Sequence, residues 1–146
     1  MQNRNLELAK SRLKDRNLTL VVVKDGQVIF ETISQGVGGF LQAIEKLGKK
    51  LVASSVADKI VGAAAAMLCV YSEVSSVFAA TISEEGIKVL ENNQIIYQFE
   101  NEVPNILNHD KTDVCPFEKL VIGSRDPKEA YTKLKSFAES DRKKLD

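Results

Sequence analysis

The chain has 146 residues, 44% of them hydrophobic and 27% charged, which supplies one ordinary core and excludes a disordered or fibrous protein. Twenty Lys and Arg balance twenty Asp and Glu, so the basic excess that marks a nucleic-acid-binding domain is missing, and no nucleic-acid partner is expected. Apolar runs fall short of the roughly 18 residues of a membrane span, and residues 1–16 are too polar for a signal peptide; a soluble, cytoplasmic protein without a membrane partner is the expectation.

Residues 5–15 carry Leu6, Ala9 and Leu13 at spacings of three and four, the signature of a short amphipathic helix. Residues 18–24 and 27–33 are rich in Val, Ile, Leu, Phe and Thr and flank Asp25-Gly26, a pair that tolerates the positive φ angles of a two-residue hairpin turn. A glycine-rich stretch, Gly36-Val37-Gly38-Gly39, then leads into a helix with Phe40, Leu41, Ile44 and Leu47 on one face and Gly48 as its stop. Residues 51–56 read as a short strand. Asp58 stands where an N-cap belongs, ahead of a helix over 60–70 that is apolar on nearly every side and has to be covered all round.

A fourth strand is expected over 74–82. Ser83, with Glu84 and Glu85 in the first turn, caps a helix through Leu90, because carboxylates favour the positive end of the helix dipole. Residues 94–99 alternate as a fifth strand, and 103–113 read as a loop. Cys115-Pro116-Phe117-Glu118 opens a short helix, and Asp126-Pro127-Lys128-Glu129 is a capping box before a last helix with Ala130, Tyr131, Leu134 and Phe137 inward. One domain over residues 1–146 follows, with a C-terminal helical extension from about residue 101. Its class is α/β: a three-layer α-β-α arrangement around a mixed five-stranded sheet, with the hairpin antiparallel and the later strands, each separated by a helix, parallel.

Three places set non-packing residues at a helix start. The N–H groups around Gly36, Gly38 and Gly39 would face an anion, or the glycines simply make a tight turn. Asp58 and Lys59, following a strand, would orient a polar ligand at the carboxyl end of the sheet, or serve as N-cap and surface lysine. The Cys115 thiol, one residue before Pro116, would sit at the positive end of a helix as a nucleophile with Glu118 as its carboxylate partner, or the pair is a plain cap. His109, the single histidine, precedes Cys115 by six residues and is either a base for it or an exposed loop residue. Cys69 lies in an apolar run and is read as packing alone. One His and two separated Cys cannot supply the usual zinc sets, so no metal and no cofactor is expected.

Taken together, Val56-Ala57-Asp58-Lys59-Ile60-Val61-Gly62 with its alanine-rich continuation, Val103-Pro104, and Cys115-Pro116-Phe117-Glu118 resemble a small prokaryotic family of unknown function with a cytidine-deaminase-like fold. The resemblance spans most of the chain. Zinc deaminases carry a His/Cys-x-Glu motif at one helix start and Pro-Cys-x-x-Cys at another. The resemblance puts these near Gly36-Val37-Gly38 and near Ala57-Asp58-Lys59, and neither segment here contains a metal ligand. What it implies instead is a metal-free cleft holding a small polar or anionic, nucleotide-like molecule. The competing readings are a metal-independent enzyme with Cys115 as nucleophile and Glu118, Asp58 or Lys59 in acid–base roles, and a homo-oligomeric or partner-binding unit in which a second subunit covers part of the apolar helix.

The zero net charge is itself a cancellation. Residues 1–16 hold five basic and two acidic groups, a net of plus three, and residues 82–118 hold two basic and eight acidic, a net of minus six. Positive potential for an anion would have to come from helix N-termini and Lys59.

Overall fold

Asp25 and Gly26 take φ angles of 52° and 77°, the left-handed pair that a type I′ turn requires, and they join β1 (Leu20–Lys24) to β2 (Gln27–Thr32). The computed structural model describes residues 2–145, with side-chain surroundings for 4–140. β1 pairs antiparallel with β2 on one side and with β3 (Ser55–Val61) on the other. Its run of Val21, Val22 and Val23 is therefore fully buried on both faces, which is why it is continuously apolar rather than alternating. β3 continues in parallel to β4 (Ser76–Ser83), and β4 to β5 (Ile96–Val103), giving the sheet order β2-β1-β3-β4-β5.

One helix, α1 (Gln2–Asp15), covers one face. Leu6, Ala9 and Leu13 pack there on Val21, Val23, Ala57 and Phe78, and the ammonium groups of Lys10 and Lys14 stand 5.1 and 5.9 Å from the Phe78 ring centre. The other face carries α2 (Val37–Leu47), α3 (Ala63–Tyr71), α4 (Glu84–Asn92), α5 (Pro116–Val121) and α6 (Pro127–Leu145), whose apolar residues join Leu20, Val22, Val56, Val77 and Ala79 in the larger core. The expected mixed five-stranded α/β sheet with flanking helices is thus observed.

Local sequence explains most ends. Ser83 Oγ accepts from the Gly86 N–H at 3.0 Å and caps α4. Asp126 Oδ1 accepts from the Lys128 N–H at 3.0 Å, whereas Glu129 pairs with Lys133 at 2.8 Å and leaves the return half of the expected capping box unmade.

Three expectations are corrected. The strand expected over 51–56 is displaced: Gly48–Leu51 form a single 3-10 turn, and β3 runs from Ser55 to Val61. Asp58 and Lys59 are consequently strand residues and not a helix start. Pairing with β1 and β4 on both sides of residues 55–58, and with β4 alone at Ile60 and Val61, favours the extended chain, and the helix begins at Ala63 behind Gly62. β5 extends through Val103, so the segment beyond the sheet starts later than residue 101. Within this one chain Ala63–Cys69 of the apolar helix are buried among α2, α4, α5, α6 and β3.

Phe78→Ala, at a 1% exposed position, should lower stability by about 3–5 kcal/mol, read as an early urea midpoint. Phe99→Ala, on β5 and 40% exposed, should cost less than half as much.

Candidate functional site

The first turn of an α-helix presents N–H groups that lack partners inside the helix. At α3 the preceding residue is Gly62, which has no side chain to accept from them. The acceptor comes from α5: Glu118 Oε1 accepts from the Ala63 N–H and Oε2 from the Ala64 N–H, each at 2.7 Å. A side chain at residue 62 would collide with this carboxylate, since an added Cβ would lie 2.0 Å from Oε1 and 2.7 Å from Ile106 Cγ1. Gly86 is required for a related reason, because a Cβ there would come within 2.8 Å of the Val61 carbonyl. The end of β3 and the starts of α3, α4 and α5 therefore meet at two glycines and one carboxylate.

Glu118 is 8% exposed. Burial holds its carboxyl above the usual carboxylate range, the two backbone N–H groups pull it back down, and nearby Glu85 pushes it up again. Its two oxygens being engaged at α3, it is not free to pair with Cys115, the role anticipated for it. Cys115 is partly exposed at the start of α5, where its carbonyl accepts from the Glu118 and Lys119 N–H groups and its own N–H donates to the Ile106 carbonyl at 2.9 Å. His109 lies in the turn closed by Asn108 N–H to the Asp113 carbonyl (2.8 Å), beyond the Leu107–Val114 bridge, and is exposed.

Asp58 belongs to a different neighbourhood. It pairs in register with Leu20 on β1 and Ala79 on β4, both in the larger core, so its side chain points to the face beneath α3. The carboxyl is half-buried and accepts weakly from the Ile60 N–H at 3.3 Å. Desolvation raises its pKa to about 7, opposed by the backbone N–H groups of Ile60 and Lys59. Cys69, fully buried in α3, is pushed well up by burial and further by the Asp58 charge. Lys59 alternates away from Asp58 along the strand; it is exposed, and its N–H donates to the Thr19 carbonyl at 2.9 Å. The anticipated Asp58–Lys59 pair on one ligand is therefore not formed.

The three α2 glycines have separate reasons. Gly36 takes a φ of 64°, which favours glycine. A Cβ on Gly39 would press on the Ser34 carbonyl at 3.0 Å and Thr32 Cγ2 at 3.1 Å, whereas Gly38 faces open space. Among the described residues no side chain caps the α2 N-terminus. Gly38 instead lines a shallow groove of about 70 Å³ between α2 and α6, with Gln42, Glu45, Tyr131, Lys135 and Glu139 among its walls. Gln42 and Lys135 carried no motif in the sequence, since only the packing of α6 on α2 brings them together. Among the described residues, no three His, Cys, Asp or Glu side chains gather as a metal-binding group, and no helix is long and apolar enough to cross a membrane.

Asp58 gives the site a pH signature. Its folded pKa of about 7 lies above the roughly 3.9 of an unfolded chain, so its contribution to stability is fully present below about pH 4 and is lost as pH rises through about 7. Wild-type stability relative to Asp58→Asn should therefore fall by about 2 kcal/mol between pH 5 and 8, a value discounted for the solvent that a half-buried carboxyl retains. Urea unfolding of both chains across that range measures it, and parallel curves would remove the assignment.

Comparison with known proteins places this geometry in a family. A DUF1893-family protein from Thermotoga maritima has a crystal structure similar to this chain, with a TM-score of 0.85 and 27% identity over 93% of this chain and 91% of that one. RibD from Acinetobacter baumannii is similar with a TM-score of 0.49 and 21% identity, over 68% of this chain and 34% of that one. The dCMP deaminase of cyanophage S-TIM5 gives a TM-score of 0.46 and 13% identity, over 70% and 96%. Among curated proteins no match is found. The family model described as a domain of unknown function, DUF1893, matches residues 8–138, and the chain belongs to that family.

Proposed function

We propose that the chain is a single metal-independent domain that binds a small polar molecule, or the polar end of a nucleotide-like one, in the shallow groove between the start of α2 and α6. The observation that carries this reading is the difference between two helix starts. At α3 the N–H groups are taken by Glu118. At α2 no side chain among the described residues caps the first turn, and Gly38 opens onto a groove whose walls offer both charges, Lys135 with Glu45 and Glu139, beside the amide of Gln42 and the Tyr131 ring. Such a mixture suits a ligand with donors and acceptors of both kinds rather than a bare anion. Gly36 and Gly39 then shape the turn, and Gly38 is the position that touches ligand. Asp58 and Lys59, on opposite faces of β3, fall outside this groove.

Catalysis through Cys115 receives less support, because Glu118, the carboxylate three residues after it, is engaged at α3 and the histidine sits in an exposed turn.

Thermal-shift measurements against nucleosides, nucleotides and amino acids test the proposal. At least one compound should raise Tm by several degrees at a concentration of about 100 Kd. Gly38→Val should abolish the shift and Lys135→Ala should weaken it about tenfold or less, as expected for an exposed charge. A panel without any shift, or a shift that survives Gly38→Val, would contradict the groove as the site.

A further inference from the structure

We propose that Glu118 is the latch of a strap, residues 104–122, which opens from the start of α3 as a unit while the sheet stays folded. The strap is built to hold its own shape. Cys115 N–H donates to the Ile106 carbonyl at 2.9 Å, Leu107 bridges Val114, Asn108 N–H donates to the Asp113 carbonyl at 2.8 Å, and the Asn108 side-chain oxygen accepts from the Thr112 N–H at 3.0 Å. Lys119 and Asp113 tie its two limbs together. All of these bonds are internal to the segment and survive its departure.

Its attachments to the rest of the molecule are few by comparison. Of residues 104–122, the buried side chains are Glu118 and Val121; they are supplemented by half-buried Phe117 and Leu120 on the larger core and half-buried Ile106 beside Gly62, with the Phe117 ring meeting Phe137 of α6 edge-on at 5.1 Å. Leu107 and Ile122 are 48% and 70% exposed, so they add little hold. A segment with few buried contacts and self-contained hydrogen bonds is the kind that opens below the global unfolding free energy.

The latch is also balanced rather than locked. Closure places a carboxylate in a buried site near Glu85, which opposes it, and the two N–H bonds at 2.7 Å offset that cost. Opening returns the carboxylate to water and leaves the Ala63 and Ala64 N–H groups, with the first apolar turn of α3, uncovered. Loss of the latch from either side should have the same result. Glu118→Ala removes the acceptor, and Gly62→Ala introduces a Cβ 2.0 Å from Oε1 and 2.7 Å from Ile106 Cγ1, which pushes out the carboxylate and the strap's Ile106 together while leaving the hydrogen bonds within the strap in place.

Hydrogen exchange on the full chain, read by mass spectrometry, tests this device. In wild type, peptides covering residues 104–122 and the amides of Ala63 and Ala64 should exchange with a common opening rate, ahead of β3 and β4. Both Glu118→Ala and Gly62→Ala should raise exchange in those two places by about tenfold or more, leaving β4 and α1 unchanged. Glu118→Gln, which keeps an oxygen acceptor, should fall between. Faster exchange spread evenly over the whole chain in both variants would show that Glu118 is a global structural cap. Exchange of 104–122 that ignores both substitutions would show that the strap is held elsewhere. Either result overturns the proposal.

Discussion

The start of α3 is the point on which the rest of this structure depends. A helix of nine residues, with Ala63 to Cys69 buried, cannot leave its first N–H groups unpaired in the interior, where a missing partner costs on the order of 1–3 kcal/mol. Most helices meet this demand with a Ser, Thr, Asp or Asn immediately before the first turn. Here that position is Gly62, and the acceptor arrives from Glu118, 55 residues away from Ala63 in sequence. The small residue and the distant carboxylate form one arrangement, since a side chain at 62 would occupy the place of the carboxylate. The closing segment from Val103 to α6 is thereby part of what completes the helix at the centre of the larger core.

This arrangement explains which parts of the fold the sequence disclosed. The Asp25-Gly26 hairpin, the Ser83 cap and the Asp126-Pro127 helix start are determined within four residues, and all three are observed. The α1 stripe of Leu6, Ala9 and Leu13 is equally local. The misread stretch is 51–62. Asp58 before an apolar run has the local appearance of an N-cap, but its backbone is held extended by pairing to Leu20 on one side and Ala79 on the other. That pairing is tertiary and overrides the local signal. Four residues of displacement were enough to move Asp58 from a helix mouth to the underside of α3 and to send Lys59 to the opposite face.

The candidate site was less legible than the fold. Glu118 was visible as a residue of interest, but next to Cys115 rather than at Ala63. One signal did point to its true role: an apolar helix that follows glycine and has no local capping side chain requires an acceptor from elsewhere in the chain. The groove at Gly38 could not be read in advance, because Gln42 and Lys135 become neighbours through the docking of α6 on α2. Electrostatics adds a further division. The Asp58 charge raises the cost of ionising Cys69 beneath α3, while Glu85 raises that of Glu118 at its start, so Asp58 and Glu118 act in separate surroundings.

The central claim is that the Glu118 carboxylate, and no local group, satisfies the first turn of α3. Amide chemical shifts of Ala63 and Ala64 in the isotopically labelled chain, followed while the Glu118 side-chain carboxyl carbon is titrated, test it most directly. Short bonds to a carboxylate should place both amide protons well downfield, and both should move upfield with the same apparent pKa as the Glu118 carbon, above that of an exposed Glu. Amide protons at ordinary helix values that do not follow the Glu118 titration would contradict it.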